Sequence, residues 1–146
     1  MIVTNNPEHG HAVARGAGVT FNPAVDVVLA RVVDGELRGG VIFNNYTGAS
    51  INVHIWGKNP KWIDRDLLWM TCDYMFKQLG CKKVFAQIPA NNKRSLDFSL
   101  NFGFKIEARI ADVFPDEDLF VLSMLREDCR WLNLRPSKAF LKEEAA

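Results

Sequence analysis

Between Val27 and Trp56 a β-branched run, a turn and a period-two alternation together predict three strands. Val27 to Val33 is a β-branched run, Asp34-Gly35 supplies a two-residue turn, and Leu37 to Asn44 returns as the second arm of a hairpin. Tyr46-Thr47-Gly48 interrupts. From Ser50 to Trp56, Ile51, Val53 and Ile55 alternate with Asn52, His54 and Trp56, which completes an antiparallel meander. From about Ile63 to Leu79 the period becomes helical. Ile63, Leu67, Met70 and Tyr74 form one stripe, Leu68, Cys72, Met75 and Leu79 a second, and Trp69 with Phe76 a third, so the helix must be covered on most sides. Asn59 and Pro60 stand where a cap and a first turn are expected, and Gly80 stops the helix.

The pattern then reads as strand, helix, strand, strand. Val84, Ala86 and Ile88 alternate with Phe85 and Gln87 over Lys83 to Ile88, with apolar residues on both sides, as in a strand covered on both faces. Pro89 ends it. Asn91 or Asn92 can accept from the first free amides of a helix carrying Leu96, Phe98, Leu100 and Phe102, and Gly103 suits a left-handed stop. Strands from about Phe104 to Val113 and from Asp118 to Leu125 are joined by Pro115-Asp116-Glu117. The first twenty-odd residues, with Gly10, Gly16, Gly18, Pro7 and Pro23, read as weakly structured. The tail from Arg126 reads as one short helix around Asp128 to Leu132 that frays beyond Pro136.

Composition narrows the function classes. A chain of 146 residues with 48% hydrophobic and 24% charged content fits one globular domain, and a net charge of +1 argues against a protein whose whole surface is basic for nucleic acid. No apolar run approaches the roughly twenty residues of a membrane span, and the N-terminus lacks the basic and apolar blocks of a signal peptide, so a cytoplasmic location is expected. Cys72, Cys81 and Cys129 are too far apart in sequence for a Cys-x-x-Cys ligand pair and read as buried thiols of a reducing compartment. His9 and His11 with Glu8 resemble a metal pair, but no Cys or further ligand stands nearby, so they read as part of a flexible terminus and no metal is expected. The settings of Trp62, Trp69 and Trp131 indicate packing more than base stacking.

The segment Lys83 to Phe104 carries the strongest functional signal. A helix that opens at Asn92 presents unpaired N–H groups and a partial positive charge to a phosphate or carbonyl oxygen. An ordinary strand–helix–strand unit without a ligand would read the same way. Asn92, Ser95, Gly103 and Phe104 have the spacing that follows the central strand in the GNAT superfamily of N-acetyltransferases, which this segment resembles. The resemblance extends over roughly residues 25–133. It includes Trp62 to Arg65, Tyr74-Met75-Phe76 with Gln78 to Cys81, and Met124 to Leu132, and it is nearest to small GNAT proteins of phages and prophages.

The resemblance implies an α+β GNAT-like fold, with a mixed, mostly antiparallel central sheet flanked by helices. The usual pair of helices after the first strand would be missing or collapsed into the N-terminal region. It implies acetyl-CoA as co-substrate and an amine acceptor on a small molecule or protein, and it is compatible with a homodimer. The familiar glycine-rich phosphate loop is replaced by Gly57-Lys58-Asn59-Pro60-Lys61-Trp62-Ile63-Asp64-Arg65, in which Lys58, Lys61 and Arg65 offer charge in place of backbone donors. The implied cofactor set is Ile55, Trp56, Gly57, Lys58, Lys61, Trp62, Arg65, Asn92, Ser95 and Phe98. In the family a backbone N–H at the end of the third meander strand, here about Ile55 to Gly57, stabilises the oxyanion.

For a general base, His54 is favoured, because an imidazole titrates near neutrality and shares a strand face with Asn52 and Trp56. Glu107 and then Asp112 are runners-up. The acid Tyr of many relatives falls on Ser99, so solvent would have to protonate the leaving thiolate. A non-catalytic GNAT-fold protein, serving phage structure or host interaction, and an acyl-CoA sensor are the alternative readings.

Overall fold

In the computed structural model, which describes residues 1–145, the chain forms a seven-stranded sheet flanked by helices. Strand β1 (Ile2–Thr4) and helix α1 (Pro7–Ala17) precede the meander of β2 (Val27–Val33), β3 (Glu36–Asn44) and β4 (Ser50–Gly57). Helix α2 (Arg65–Cys72) runs into a π-helical turn (Asp73–Gln78), followed by β5 (Lys83–Pro89) and helix α3 (Lys93–Phe102). The chain ends with the hairpin β6 (Lys105–Phe114) and β7 (Glu117–Leu125), a 3₁₀ turn (Arg126–Asp128) and helix α4 (Lys138–Ala145). The spatial order is β1-β2-β3-β4-β5-β7-β6. Every neighbouring pair is antiparallel except β4 and β5. The expected α+β architecture is the one observed.

Two cores pack on the sheet. Val13 and Ala14 of α1, with Phe21, cover Val28 and Ile42, and Trp56 packs at the margin of this smaller cluster. The larger one joins Leu67, Cys72, Met75 and Phe76 to Val41, Phe43, Val84 and Leu122 of the sheet, with α3 contributing Leu96, Phe98 and Phe102. Val41, Ile42 and Phe43 are successive and all buried, because β3 is covered on both faces. Among the described residues no helix is long and apolar enough to cross a membrane.

The N-terminal expectation fails. Residues 7–17 form a regular helix, capped by Asn6 whose side chain accepts from the His9 amide at 3.1 Å, and it covers β2, β3 and β4. Its glycines are packing sites and not breakers. A Cβ on Gly10 would lie 2.3 Å from the Phe21 ring, and one on Gly16 would lie 2.4 Å from the Trp56 indole. His9 and His11 therefore belong to a helix and not to a flexible end.

The central helix also starts later than the sequence pattern suggests. Asp64, not Asn59, is its cap: Asp64 Oδ1 accepts from the Leu67 amide at 3.0 Å, and its other oxygen pairs with Arg31 of β2. Asn59 instead holds the Lys61 amide within the loop at 2.9 Å. The last turn is widened, with Leu79 N–H bonded to the Tyr74 carbonyl and Gln78 Nε2 donating to Asp73 Oδ2 at 2.8 Å, both at the five-residue spacing of a π turn.

The tail does not fray at Pro136, and residues 126–128 make only a 3₁₀ turn. The Asp66 carboxylate accepts from both the backbone N–H and the hydroxyl of Ser137 at 2.6 Å, Ser137 Oγ accepts from the Phe140 amide, and Phe140 is buried beside Trp69. Helix α4 is thus tied to the first turn of α2.

Candidate active site

Strands β4 and β5 pair only from Ser50 to Asn52 against Lys83 to Phe85. Beyond that, β4 continues to Gly57 and β5 to Pro89 without pairing to each other. The sheet therefore opens into a V in which the β5-facing edge of Val53–Gly57 has no strand partner. Backbone groups alternate in direction along a strand, so some of those N–H and C=O groups face the gap. Orphan backbone groups inside a fold need a partner, and an extended ligand with amides of its own can supply one.

The V leads to two connected spaces. An inner hollow of about 80 Å³ is bounded by Val53, His54 and Ile55 of β4, by residues 86–89 of β5, and by Ser95, Ser99 and Phe102 of α3. An outer cleft of about 460 Å³ lies between Trp56, Gly57, Pro60 and Trp62 on one side and Asn92, Arg94, Ser95 and Phe98 on the other. Ala17, Ile55, Asn92, Ser95 and Phe98 line both, so the hollow is the inner end of the cleft. The cleft has the volume of a typical small-molecule site.

Helix α3 opens toward this cleft. Asn92 is its cap, with Oδ1 accepting from the Ser95 amide at 3.2 Å. Arg94, one residue before Ser95, is exposed and lines the cleft. Sequence reasoning passed over Arg94, although it sits between the two residues that carry the motif; its signal was a cation in the first turn of a helix that ought to meet a phosphate.

The loop cations are deployed differently from the expectation. Lys58 pairs with Glu36, whose carboxyl is held below its usual value chiefly by the Lys58 hydrogen bond and then by the charge of Arg38. Arg65 donates from Nε to the Arg135 carbonyl, so it helps dock the tail. Lys61 is exposed. None of these three lines the hollow or the cleft.

Trp62 does line the cleft, and its seat explains Gly57. Gly39 and Gly57 are cross-strand partners, and the indole lies across both: an added Cβ would come within 1.9 Å of the ring at Gly57 and 2.6 Å at Gly39. The ring is 6% exposed and also stands 6.2 Å from the Phe98 ring. Gly57 is therefore a platform for Trp62, and Trp62 braces β4 against α3.

His54 reaches the hollow from β4, next to the Ile55 whose edge borders the gap. Its Nε2 lies 3.1 Å from Asn44 Oδ1. That oxygen can only accept, so Nε2 carries the proton and Nδ1 keeps its lone pair. Burial pushes the imidazolium below its ordinary pKa of 6.5, outweighing the attraction of Asp26. The side chain is accordingly neutral at pH 7, as a general base must be.

Glu107 stands elsewhere. It sits on β6, which is exposed along its whole length, and accepts from Lys83 Nζ at 2.7 Å. The Lys83 hydrogen bond, with a second from Ser123, holds its carboxyl below the usual value. A carboxylate already paired and outside the hollow is poorly placed to remove a proton there. Asp112, the other runner-up, is exposed on a positive-φ residue of the same strand.

Ser99 is buried and lines the hollow, at 4% exposure, while Thr71 opposite spends its hydroxyl on the Leu67 carbonyl. Gln87 of β5 also borders the hollow and had no sequence signal beyond its alternation. No cluster of three or more His, Cys, Asp or Glu suited to a metal occurs among the described residues.

No protein-family model and no curated protein matches this chain. Solved structures do. One structure of spermidine/spermine N-acetyltransferase SpeG from Vibrio cholerae aligns at a TM-score of 0.68 and 14% identity, over 87% of this chain and 92% of that one. An N152L mutant of the same enzyme aligns at 0.60 and 20% identity, over 75% and 68% of the two chains. A probable acetyltransferase aligns at 0.59 and 21% identity, over 70% and 61%. At these identities the likeness speaks for architecture: the chain has the fold of the GNAT N-acetyltransferases.

Proposed function

We propose that this protein is an N-acetyltransferase that takes the acetyl group of acetyl-CoA to a primary amine by direct transfer. The observation that carries the reading is the parting of β4 from β5, which leaves an unpaired strand edge beside a hollow that continues into a 460 Å³ cleft at the start of α3. The pantetheine arm of acetyl-CoA carries amides that suit the free edge of Val53–Gly57. Its phosphates suit the first turn of α3 and the guanidinium of Arg94.

In this reading the thioester lies in the V beside Ile55. His54 Nδ1 accepts a proton from the incoming ammonium, directly or through one water, and the free amine attacks the thioester carbonyl. A backbone N–H of the Ile55–Gly57 edge stabilises the resulting oxyanion. The C–S bond then breaks, the nitrogen gives its second proton to water, and the thiolate is protonated by solvent, because Ser99 stands where many GNAT proteins carry a tyrosine. The acceptor is an amine of a small molecule or a protein, and the V is reached from the cytoplasm of the cell or phage host in which the chain resides.

Ser99 and the single-glycine loop favour a second reading, in which the protein binds acyl-CoA without transferring from it. Release of CoA thiol, followed with a thiol reagent across a panel of polyamines, amino sugars and lysine peptides, separates the two. Amine-dependent release above the hydrolytic background supports transfer. Tight acetyl-CoA binding with no release from any amine supports the sensor.

A further inference from the structure

Cys72 and Cys129 are 57 residues apart in sequence, yet their sulfurs meet at 3.8 Å. Cys72 ends α2, immediately after the Thr71 that borders the hollow, and is 1% exposed. Cys129 closes the 3₁₀ turn after β7 and keeps 8% exposure between the exposed Asp128 and Arg130. Cys81, also buried and free, has no sulfur partner among the described residues.

We propose that Cys72 and Cys129 are a peroxide-oxidisable pair that closes to a disulfide between the central helix and the C-terminal turn. A disulfide needs sulfurs about 2.05 Å apart, so closure requires them to approach by less than 2 Å. That is within reach of a side-chain rotation combined with a small shift of the turn, which is not part of the sheet.

The two thiols differ in the way such chemistry needs. The thiolate of Cys129 is favoured, with its pKa lowered to about 7, first by its hydrogen-bonded contact with Cys72 and further by the Trp131 and Leu132 amides and the charge of Arg130. Cys72 is held in the thiol form by its hydrogen bond to Cys129 and by burial. Cys129 is thus the attacking sulfur and Cys72 the resolving one.

The steps balance. Cys129 thiolate attacks one oxygen of hydrogen peroxide, the O–O bond breaks, hydroxide leaves, and Cys129 becomes a sulfenic acid. Cys72 gives its proton to that hydroxide, attacks the Cys129 sulfur and displaces a second hydroxide, which is protonated by solvent. Two thiols lose two electrons to one peroxide, giving a disulfide and two waters. The link would fasten the turn that carries Trp131, whose Nε1 donates to the Phe102 carbonyl at 2.7 Å and whose ring packs on Phe102, a residue of the hollow's wall.

The test is peptide mapping of the intact protein, reduced, desalted, exposed to hydrogen peroxide, blocked with an alkylating reagent and digested with trypsin. The expected product joins the peptide Asp66–Lys77 to Glu127–Arg130, at the summed mass less two hydrogens, while Cys81 in Gln78–Lys82 stays alkylated. The same treatment should raise the melting temperature by about 10 °C, reversibly with dithiothreitol. Cys81→Ser should keep both effects and Cys129→Ser should lose both. Full alkylation of Cys72 and Cys129 after peroxide, a link through Cys81, or conversion of Cys129 to sulfinic acid without a link would each overturn the proposal, and none of these readouts depends on a variant folding.

Discussion

Replacing Gly57 by alanine tests the packing that shapes the mouth of the V. The added methyl would sit 1.9 Å from the Trp62 ring, whereas ordinary contact begins near 3.4 Å, so the indole must retreat by about 1.5 Å. It has no free direction along the sheet, because Gly39 supports it on the next strand and Phe98 stands beyond it. Overpacking of this kind costs about 1–3 kcal/mol, which for a chain of this length corresponds to a fall in melting temperature of about 3–10 °C. Calorimetry on wild type, Gly57→Ala, Trp62→Leu and the double variant gives the coupling between the two positions. Most of the cost of the alanine should disappear once the indole is gone, and tryptophan fluorescence should shift in Gly57→Ala alone. Additive losses, or a melting temperature within a degree of wild type, would refute the seating of Trp62 on this glycine pair.

His54→Gln should lower the turnover number far more than the Michaelis constant for acetyl-CoA. Because burial depresses the His54 pKa below 6.5, wild-type rate should be level at pH 7 and above and fall as pH drops through that depressed value; a rate unchanged by the substitution across the pH range would remove His54 as base. The same shift links to folding: the unfolded chain takes up the proton first, so this contribution to stability is complete above 6.5 and is lost as pH falls through the folded value. Asn92→Ala removes the α3 cap and should cost about 1 kcal/mol in chemical denaturation; no loss would mean that the cap bond is replaced by water. Asp66→Ala deletes both bonds to Ser137, worth about 2 kcal/mol, and should speed tryptic cleavage at Lys138 by roughly 30-fold, whereas equal rates would show that Phe140 alone holds α4 in place.

The sheet was legible because β4 and β5 alternate in burial, β2 is a β-branched apolar run, and the Asp34-Gly35 turn fixes the first hairpin. Helix α1 was hidden by Gly10 and Gly16, which look like breakers until Phe21 and Trp56, brought from distant positions, are seen to need the space. The start of α2 was misplaced because Asn59-Pro60 is a plausible cap taken alone, while Asp64 gains from an arginine two strands away. Helix α4 was invisible for the same kind of reason: its anchor is Asp66, 71 residues earlier. In the site, the Asn92 cap and the approach of His54 could be anticipated from local pattern and family spacing. The real use of Lys58 and Arg65 could not, since Glu36 and the Arg135 carbonyl that occupy them are remote in sequence. Glu107 was drawn in by its strand, but β6 is the outer strand of the sheet, beyond β7, and the carboxylate is paired to Lys83.

Calorimetric titration with acetyl-CoA, on wild type and on a variant, Ser95→Trp, that puts an indole where the hollow meets the cleft, tests the central claim most directly. The account predicts micromolar binding by wild type, about −8 kcal/mol, and its loss in a variant that still melts cooperatively. Absence of heat with wild type at millimolar acetyl-CoA, or equal affinity in the two proteins, would contradict it.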